Sequence, residues 1–177
     1  MKYLLQLIAL AVIGGICFVI GFGINYFFFD DRTPVQPIEF SHKIHAGDNK
    51  VPCLYCHIYA DKSKVSGVPN VQRCYGCHKA IKTDSPEIIK LTQYWDNKEP
   101  IPWVKVHNLP DFVHFTHKRH IKAGLQCAEC HGDVASMARI TRVSSLGMGW
   151  CLNCHATKGV EAGMSKDAGK DCWTCHK

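Results

Sequence analysis

Cysteine and histidine recur in one fixed pattern along this sequence. Ten of the 11 cysteines lie in five copies of Cys-x-x-Cys-His. Two thiols separated by two residues, with a histidine directly after the second, form the pattern for covalent attachment of c-type haem. The predicted haem-attaching cysteines are Cys53, Cys56, Cys74, Cys77, Cys127, Cys130, Cys151, Cys154, Cys172 and Cys175. The predicted proximal iron ligands are His57, His78, His131, His155 and His176.

Three other kinds of site also begin with Cys-x-x-Cys. These are zinc knuckles, thioredoxin-like redox pairs and disulfides. None of them requires a histidine directly after the second cysteine, which is present in all five copies here. A zinc protein would also need its ligands grouped in fours, and the spacing of the copies does not suggest such groups. The sequence therefore favours five covalently attached haems c.

Two further histidine pairs occur in copies of the unit Phe-x-His-x-x-His. The first copy contains His42 and His45, and the second contains His117 and His120. Residues i and i+3 of a helix lie on one face, but a haem is too broad for both histidines to bind the same iron. We expect each pair to supply distal ligands to two neighbouring haems. The alternative is that one histidine of each pair hydrogen-bonds a haem propionate.

The fifth distal ligand has several candidates. His107, in the segment WVKVHNLPDF, is the first choice, and His114 is the second. Methionine also serves as an axial ligand in c-type cytochromes and raises the reduction potential. Met148 lies three residues before Cys151, and Met137 follows the third motif closely.

The N-terminal segment is a predicted membrane anchor. An apolar run extends from Tyr3 to Phe29, which exceeds the ~20 residues that a transmembrane helix needs. A cleaved signal peptide is the alternative, but its apolar region should be shorter and should end in a small-x-small cleavage site. The sequence predicts an anchor helix over residues 1–29, a linker over 30–39 and a haem domain over 40–177.

Charges at the ends of this run predict its orientation. Lys2 precedes the run, and Asp30 and Asp31 follow it. This arrangement places the N-terminus in the cytoplasm and the remaining chain on the other side of the membrane. We therefore expect a single-pass protein of the bacterial inner membrane whose haem domain lies on the periplasmic face, where c-type haem is attached.

The formal net charge of +6 does not indicate a nucleic-acid partner. Haem propionates would offset much of this charge, and basic residues are needed to bind them. No basic tract with interleaved aromatic residues occurs in the sequence.

Five haems set the fold class of residues 40–177. The segment is too short to enclose each haem in its own pocket, so the haems must pack together and form much of the core. We expect a mainly α-helical and irregular domain, with short helices at and after several attachment motifs and little sheet.

Several segments resemble the pentahaem cytochrome subunit of alternative complex III, within the broader class III-like multihaem cytochromes c. They are FSHKIHAGDNKVPCLYCH, RCYGCHK, IPWVKVHNLPDFVHFTHKRHIKAGLQCAECHG and LGMGWCLNCH. The resemblance covers roughly residues 38–177. In that family the Phe-x-His-x-x-His element supplies distal ligands. The family usually has tyrosine at the position of His114. His114 is therefore a weaker candidate for an iron ligand.

The resemblance implies an electron-transfer subunit rather than an enzyme in its own right. Such a subunit belongs to a bacterial complex that oxidises quinol and passes electrons to a periplasmic cytochrome, a copper protein or a terminal oxidase. The implied partners are an iron–sulfur subunit similar to molybdopterin enzymes, quinol-binding membrane subunits and a monohaem cytochrome c. One alternative is a stand-alone, membrane-anchored quinol dehydrogenase that feeds a periplasmic reductase. Another is a catalytic multihaem reductase, but no open distal site is evident in the sequence.

Overall fold

A computed structural model of the protein describes residues 2–24, 32–161, 163–165, 169 and 171–176. The chain divides into two compact units, Met1–Arg32 and Thr33–Lys177. The second unit contains all five Cys-x-x-Cys-His motifs. Asp30 and Asp31, on which the predicted orientation depends, lie outside the described residues.

Helix α1 dominates the first unit. It extends over Lys2–Ile24, a length of 23 residues. Its segment Tyr3–Ile24 has a mean hydropathy of 2.7, and none of it is buried inside the protein. At about 1.5 Å per residue, the helix is long enough to cross a hydrocarbon core of about 30 Å. Length and composition thus fit a membrane span, and a signal sequence near the N-terminus would have the same properties.

Short helices joined by irregular segments form the second unit. They are α2 (Cys53–Cys56), α3 (Val71–His78), α4 (Pro86–Asp96), α5 (His117–Lys122), α6 (Cys127–His131), α7 (Met148–Cys154) and α8 (Cys172–Cys175). Single turns of π-helix occupy Lys43–Asp48 and His155–Gly159, and a 3-10 turn occupies Val134–Ser136. The described residues contain no β-strand, and one isolated antiparallel bridge joins Val113 to His176.

The attachment motifs coincide with helices. Helices α2, α6 and α8 each begin at the first cysteine of a motif, whereas α3 and α7 carry the second and fourth motifs towards their C-terminal ends. Local caps begin some of these helices. The Asn70 side-chain oxygen accepts a hydrogen bond of 3.0 Å from the backbone N–H of Arg73, and Gln126 and Glu129 form a capping box at α6. The predicted fold class, mainly helical and irregular, is confirmed.

A small apolar core lies beside α4. Ile38, Ile88, Leu91 and Ile101 are its buried members. Ser85 precedes the helix in extended conformation and Pro86 occupies its first turn, where proline costs no hydrogen bond. Ile88 and Leu91 are three residues apart and therefore share one face of α4. Full burial of one such side chain contributes about 1.5–3 kcal/mol.

Two contacts hold α4 in place. The rings of Tyr75 on α3 and Trp95 on α4 are stacked, with centroids 4.6 Å apart and an interplanar angle of 14°. The carboxylate of Glu87, in the first turn of α4, accepts one hydrogen bond of 2.7 Å from the backbone N–H of Glu39 and another of 2.7 Å from Lys90 Nζ. Glu87 thereby joins the start of the second unit to the helix that forms its core.

Candidate haem-binding site

The first Phe-x-His-x-x-His unit arranges three aromatic rings in a compact group. The Phe40 ring lies edge-on to the His42 ring, with centroids 4.9 Å apart and an angle of 89°. It stacks on the His45 ring at 4.4 Å and 26°. Phe40 therefore fixes both imidazoles in different orientations, as two ligands for two different groups require.

The second unit repeats this arrangement. The Phe115 ring lies 4.8 Å from the His117 ring at 88°, and 4.5 Å from the His120 ring at 31°. His45 Nδ1 lies 2.8 Å from the carbonyl oxygen of Ser41, and His120 Nδ1 lies 2.9 Å from that of Thr116. The sequence repeat is thus also a repeat of side-chain geometry.

Backbone carbonyl groups face the Nδ1 atoms of many of these histidines. The Nδ1–O distances are 2.7 Å for His57 to Gly67, 3.1 Å for His78 to Ile81, 3.0 Å for His117 to Lys64 and 3.3 Å for His176 to Phe112. A carbonyl oxygen only accepts, so Nδ1 must carry the proton, and the lone pair lies on Nε2. This is the tautomer of a histidine that binds a metal through Nε2. Sequence reasoning missed these partners because a backbone carbonyl carries no residue-type signal.

Glycine is required at one of these carbonyl positions. Gly67 has a φ of 72°, and a Cβ there would lie 3.1 Å from the ring of Tyr59. Residues with a side chain rarely adopt this left-handed conformation. Gly67 therefore lets the loop after α2 turn its carbonyl group towards His57.

Histidines of the two Phe-x-His-x-x-His units face histidines of the attachment motifs. Ring centroids are 6.0 Å apart for His45 and His78, 6.0 Å for His120 and His155, and 6.4 Å for His117 and His131. A metal–nitrogen bond to histidine is about 2 Å long, so rings on opposite sides of one metal ion have centroids roughly 6 Å apart. The three pairs match this separation.

His42 and His57 form a fourth pair of neighbours. Burial, and then the neighbouring His57 and His45, lower the pKa of His42 to about 4. In the described structure the His42 Nδ1 atom is buried with no hydrogen-bond partner. A neutral, buried imidazole can bind a metal because one ring nitrogen keeps a free lone pair, whereas a protonated imidazole at the surface has none.

The attachment thiols lie close to one another between motifs. None of the 11 cysteines is joined to another in a disulfide. Burial raises the pKa of several of these thiols, and neighbouring thiols raise it further. The neighbours that belong to different motifs are Cys74 and Cys77 beside Cys56, Cys53 beside Cys127, Cys151 and Cys154 beside Cys130, and Cys175 beside Cys151. The motifs thus adjoin in the order second, first, third, fourth and fifth.

Other contacts tie the same motifs together. The Lys158 ammonium, after the fourth motif, forms an ion pair with Glu129 in the third. The hydroxyl of Ser144, in the segment before the fourth motif, donates a 2.6 Å hydrogen bond to the carbonyl oxygen of Cys130. The backbone N–H of His114 donates a 2.7 Å hydrogen bond to the carbonyl oxygen of Cys175 in the fifth motif.

The candidates for the fifth distal position lie in different places. His107 Nε2 is 3.2 Å from His131 Nδ1, beside the third motif. Burial lowers the pKa of His107, and His117 lowers it further. His114 meets the fifth motif through its backbone, and its side chain is exposed. Met148 is 67% exposed, and the Met137 carbonyl accepts a 2.8 Å hydrogen bond from the backbone N–H of Lys43.

The residues fit haem better than a bare metal ion. No group of three or more His, Cys, Asp or Glu residues that could hold a metal by itself occurs among the described residues. Three histidine pairs instead have the ring separation of two ligands to one metal ion, which would suit an iron whose other four ligands are porphyrin nitrogens. Apolar side chains on the motifs, such as Leu54, Tyr55 and Trp173, are exposed by 43%, 48% and 72%, and could pack on a large flat ring.

The described residues form a mainly helical and irregular domain whose paired histidines and Cys-x-x-Cys-His motifs are those expected of a multihaem cytochrome c, preceded by one apolar helix that could span a membrane. Residues 113–177 match the family model for cytochrome c7 and related cytochrome c. The chain is also similar to the multihaem cytochrome c subunit of menaquinone reductase from Nitratidesulfovibrio vulgaris (strain Hildenborough). The two are 28% identical over 163 residues, which cover 80% of this chain and 77% of the relative.

Proposed function

We propose that this chain is the pentahaem electron-transfer subunit of a membrane quinol oxidoreductase of the alternative complex III type. Four distal–proximal histidine pairs carry the proposal: His42 with His57, His45 with His78, His117 with His131, and His120 with His155. Three of them have the ring separation of two ligands to one metal. A c-type haem bound with two axial ligands supplies one-electron transfer and offers no open position for a substrate.

The chain's own residues fix the bound groups in position. Each attachment motif supplies two thiols and one histidine, and carbonyl groups such as those of Gly67 and Ile81 orient the imidazoles. A hydrogen bond to Nδ1–H fixes the ring and raises the basicity of the ligand. Rigid ligands keep the geometry of an iron unchanged between its oxidation states, which favours fast electron transfer.

The order of the motifs suggests the order of the haems. Neighbouring thiols connect the second motif to the first, the first to the third, the third to the fourth and the fourth to the fifth. Haems held by these motifs would therefore have neighbours in this order, with those of Cys74–His78 and Cys172–His176 at the two ends. An electron carrier with two distinct ends suits a relay between a donor and an acceptor.

The membrane context supports a quinone–quinol couple as the redox partner in the membrane, and the proposed direction from quinol outward rests on the resemblance to alternative complex III. Helix α1 fits a membrane anchor, and the similar Nitratidesulfovibrio protein is a subunit of a menaquinone reductase. We propose that the haem domain lies on the periplasmic face and that the chain is not an enzyme by itself. Its proposed partners are an iron–sulfur subunit similar to molybdopterin enzymes, quinol-binding membrane subunits and a monohaem cytochrome c.

Co-isolation tests the proposal. Membranes would be solubilised in mild detergent, this chain isolated through a C-terminal tag, and its companions identified and quantified by mass spectrometry. Stoichiometric iron–sulfur and quinol-binding membrane subunits are the expected result. Isolation of the chain alone, or with a soluble reductase, would instead support a stand-alone quinol dehydrogenase.

A further inference from the structure

His107 occupies the place of a backbone carbonyl group at the third motif. Its Nε2 atom lies 3.2 Å from Nδ1 of His131, and the two rings meet edge-on, with centroids 4.4 Å apart and an angle of 75°. The motif histidines His57, His78 and His176 each have a carbonyl oxygen beside Nδ1 instead. At the third motif, the side chain of His107 takes the place of the carbonyl oxygen beside Nδ1.

From this geometry we infer that His107 is a positioning residue for His131 and does not bind iron. The inference rests on the proposed role of His131 as a proximal haem ligand. If His131 binds iron through Nε2, its Nδ1 atom carries the proton and donates to His107 Nε2. The lone pair of His107 Nε2 is then used as an acceptor and is not free for a metal.

The other side of His131 already has its partner. The His117 ring lies parallel to the His131 ring, at an interplanar angle of 4° and a centroid separation of 6.4 Å. That is the separation of two rings on opposite sides of one metal ion. His107 therefore has no place in the ligand set of this haem.

This assignment also affects the fifth haem. His107 lies beside the third motif, whereas the fifth motif meets the segment Phe112–His114. The distal ligand opposite His176 is then a residue other than His107.

Two substitutions at one position separate a ligand from a positioning residue. His107→Ala removes the acceptor, whereas the side-chain oxygen of His107→Gln can still accept a hydrogen bond from His131 Nδ1–H. Each variant of the full chain would be examined for haem content, for high-spin iron by electron paramagnetic resonance, for carbon monoxide binding after reduction, and for haem midpoint potentials by redox titration.

We expect both variants to keep five low-spin haems and to bind no more carbon monoxide than the wild type. In His107→Ala the potential of one haem should rise, because loss of the acceptor lowers the basicity of His131 and favours ferrous iron. His107→Gln should restore the wild-type potential. If His107→Ala does not fold, a low-spin His107→Gln with wild-type potentials still supports the inference.

A high-spin, carbon-monoxide-binding haem in His107→Gln would show that His107 is a ligand. Unchanged potentials in His107→Ala would show that the contact does not position His131. Failure of the proposed function is distinguishable from both results, because it would be seen in the wild-type chain as a haem content below five or as the lack of respiratory partners.

Discussion

The imidazole rings of His117 and His131 lie parallel, with an interplanar angle of 4° and 6.4 Å between their centroids. His117 comes from α5 and His131 from the end of α6. Two rings from different helices reach this arrangement because the carbonyl group of Lys64 holds His117 Nδ1 at 3.0 Å and His107 holds His131. The pair therefore depends on three separate segments of the chain.

Removal of His117 tests the assignment of this pair. We expect His117→Ala to convert one haem to high spin, because His131 would remain as the only strong axial ligand of that iron. Electron paramagnetic resonance and carbon monoxide binding measure the change. Lys118→Ala is the matched control, since Lys118 is an exposed residue of the same helix that is not a candidate ligand, and it should leave the spin state of every haem unchanged. A fully low-spin spectrum in His117→Ala would contradict the ligand assignment.

The small apolar core should respond strongly to the loss of one side chain. Leu91 is 3% exposed and packs with Ile38, Ile88 and Ile101. We expect Leu91→Ala to lower the free energy of unfolding by about 2–5 kcal/mol, measured by thermal or chemical unfolding followed by circular dichroism. Ile89→Ala on the same helix is the control, because Ile89 is 48% exposed. Equal losses in the two variants would show that the core does not lie on this face of α4.

The contacts of Glu87 should make stability depend on acid. The hydrogen bond from Lys90, and then that from the backbone N–H of Glu39, lower the pKa of Glu87. Ionised Glu87 therefore stabilises the folded state fully above the pKa of the unfolded state, near 4.5. This stabilisation is lost as the pH falls through the lower pKa that Glu87 has in the folded state. Because the side chain is partly exposed to solvent, with 27% of its surface accessible, we expect only about 1 kcal/mol.

Glu87→Gln should remove this acid-dependent part, so that the stabilities of the variant and the wild type converge below pH 4.5. Urea unfolding at a series of pH values measures the effect. Lys90→Met should cost less than Glu87→Gln, because Glu87 keeps its charged acceptor for the backbone N–H of Glu39, whereas the neutral Gln amide has one acceptor oxygen for two donors. A constant difference between Glu87→Gln and the wild type at all pH values would contradict this account.

The N-terminal helix should be the membrane anchor. Residues 1–31 would be replaced by a cleavable signal peptide, so that the haem domain is still exported. We expect this variant to leave the membrane fraction after an alkaline carbonate wash, while the full chain stays, because α1 is the helix that could span a membrane in the described part of the chain. If the truncated variant resists the wash as the full chain does, α1 is not the anchor.

Much of this organisation could be predicted from sequence because the chemistry is local. The Cys-x-x-Cys-His spacing predicts attachment sites, and the helices at those motifs are confirmed. Helix α4 was not predicted, although Ser85 and Pro86 before Ile88 and Leu91 are ordinary signals of a helix start and an apolar face.

Pairing of the histidines is not encoded in any local pattern. Sequence spacing predicts that His42 and His45 serve different haems, but the approach of His45 to His78 depends on how the chain folds between them. The contact of His107 with His131 is also non-local, because 24 positions separate the two residues in the sequence. From the sequence alone, His107 is equally consistent with an iron ligand. Its role is inferred from which nitrogen of which ring it meets.

The central claim is that all five motifs carry haem, and intact-mass spectrometry of the isolated chain tests it most directly. The account predicts a mass increase equal to five haems that persists under denaturing conditions, since thioether bonds do not depend on the fold. Each haem should map to a peptide containing one Cys-x-x-Cys-His motif after proteolysis. A chain that carries fewer than five haems when haem supply is not limiting, or that loses them on denaturation, would contradict it.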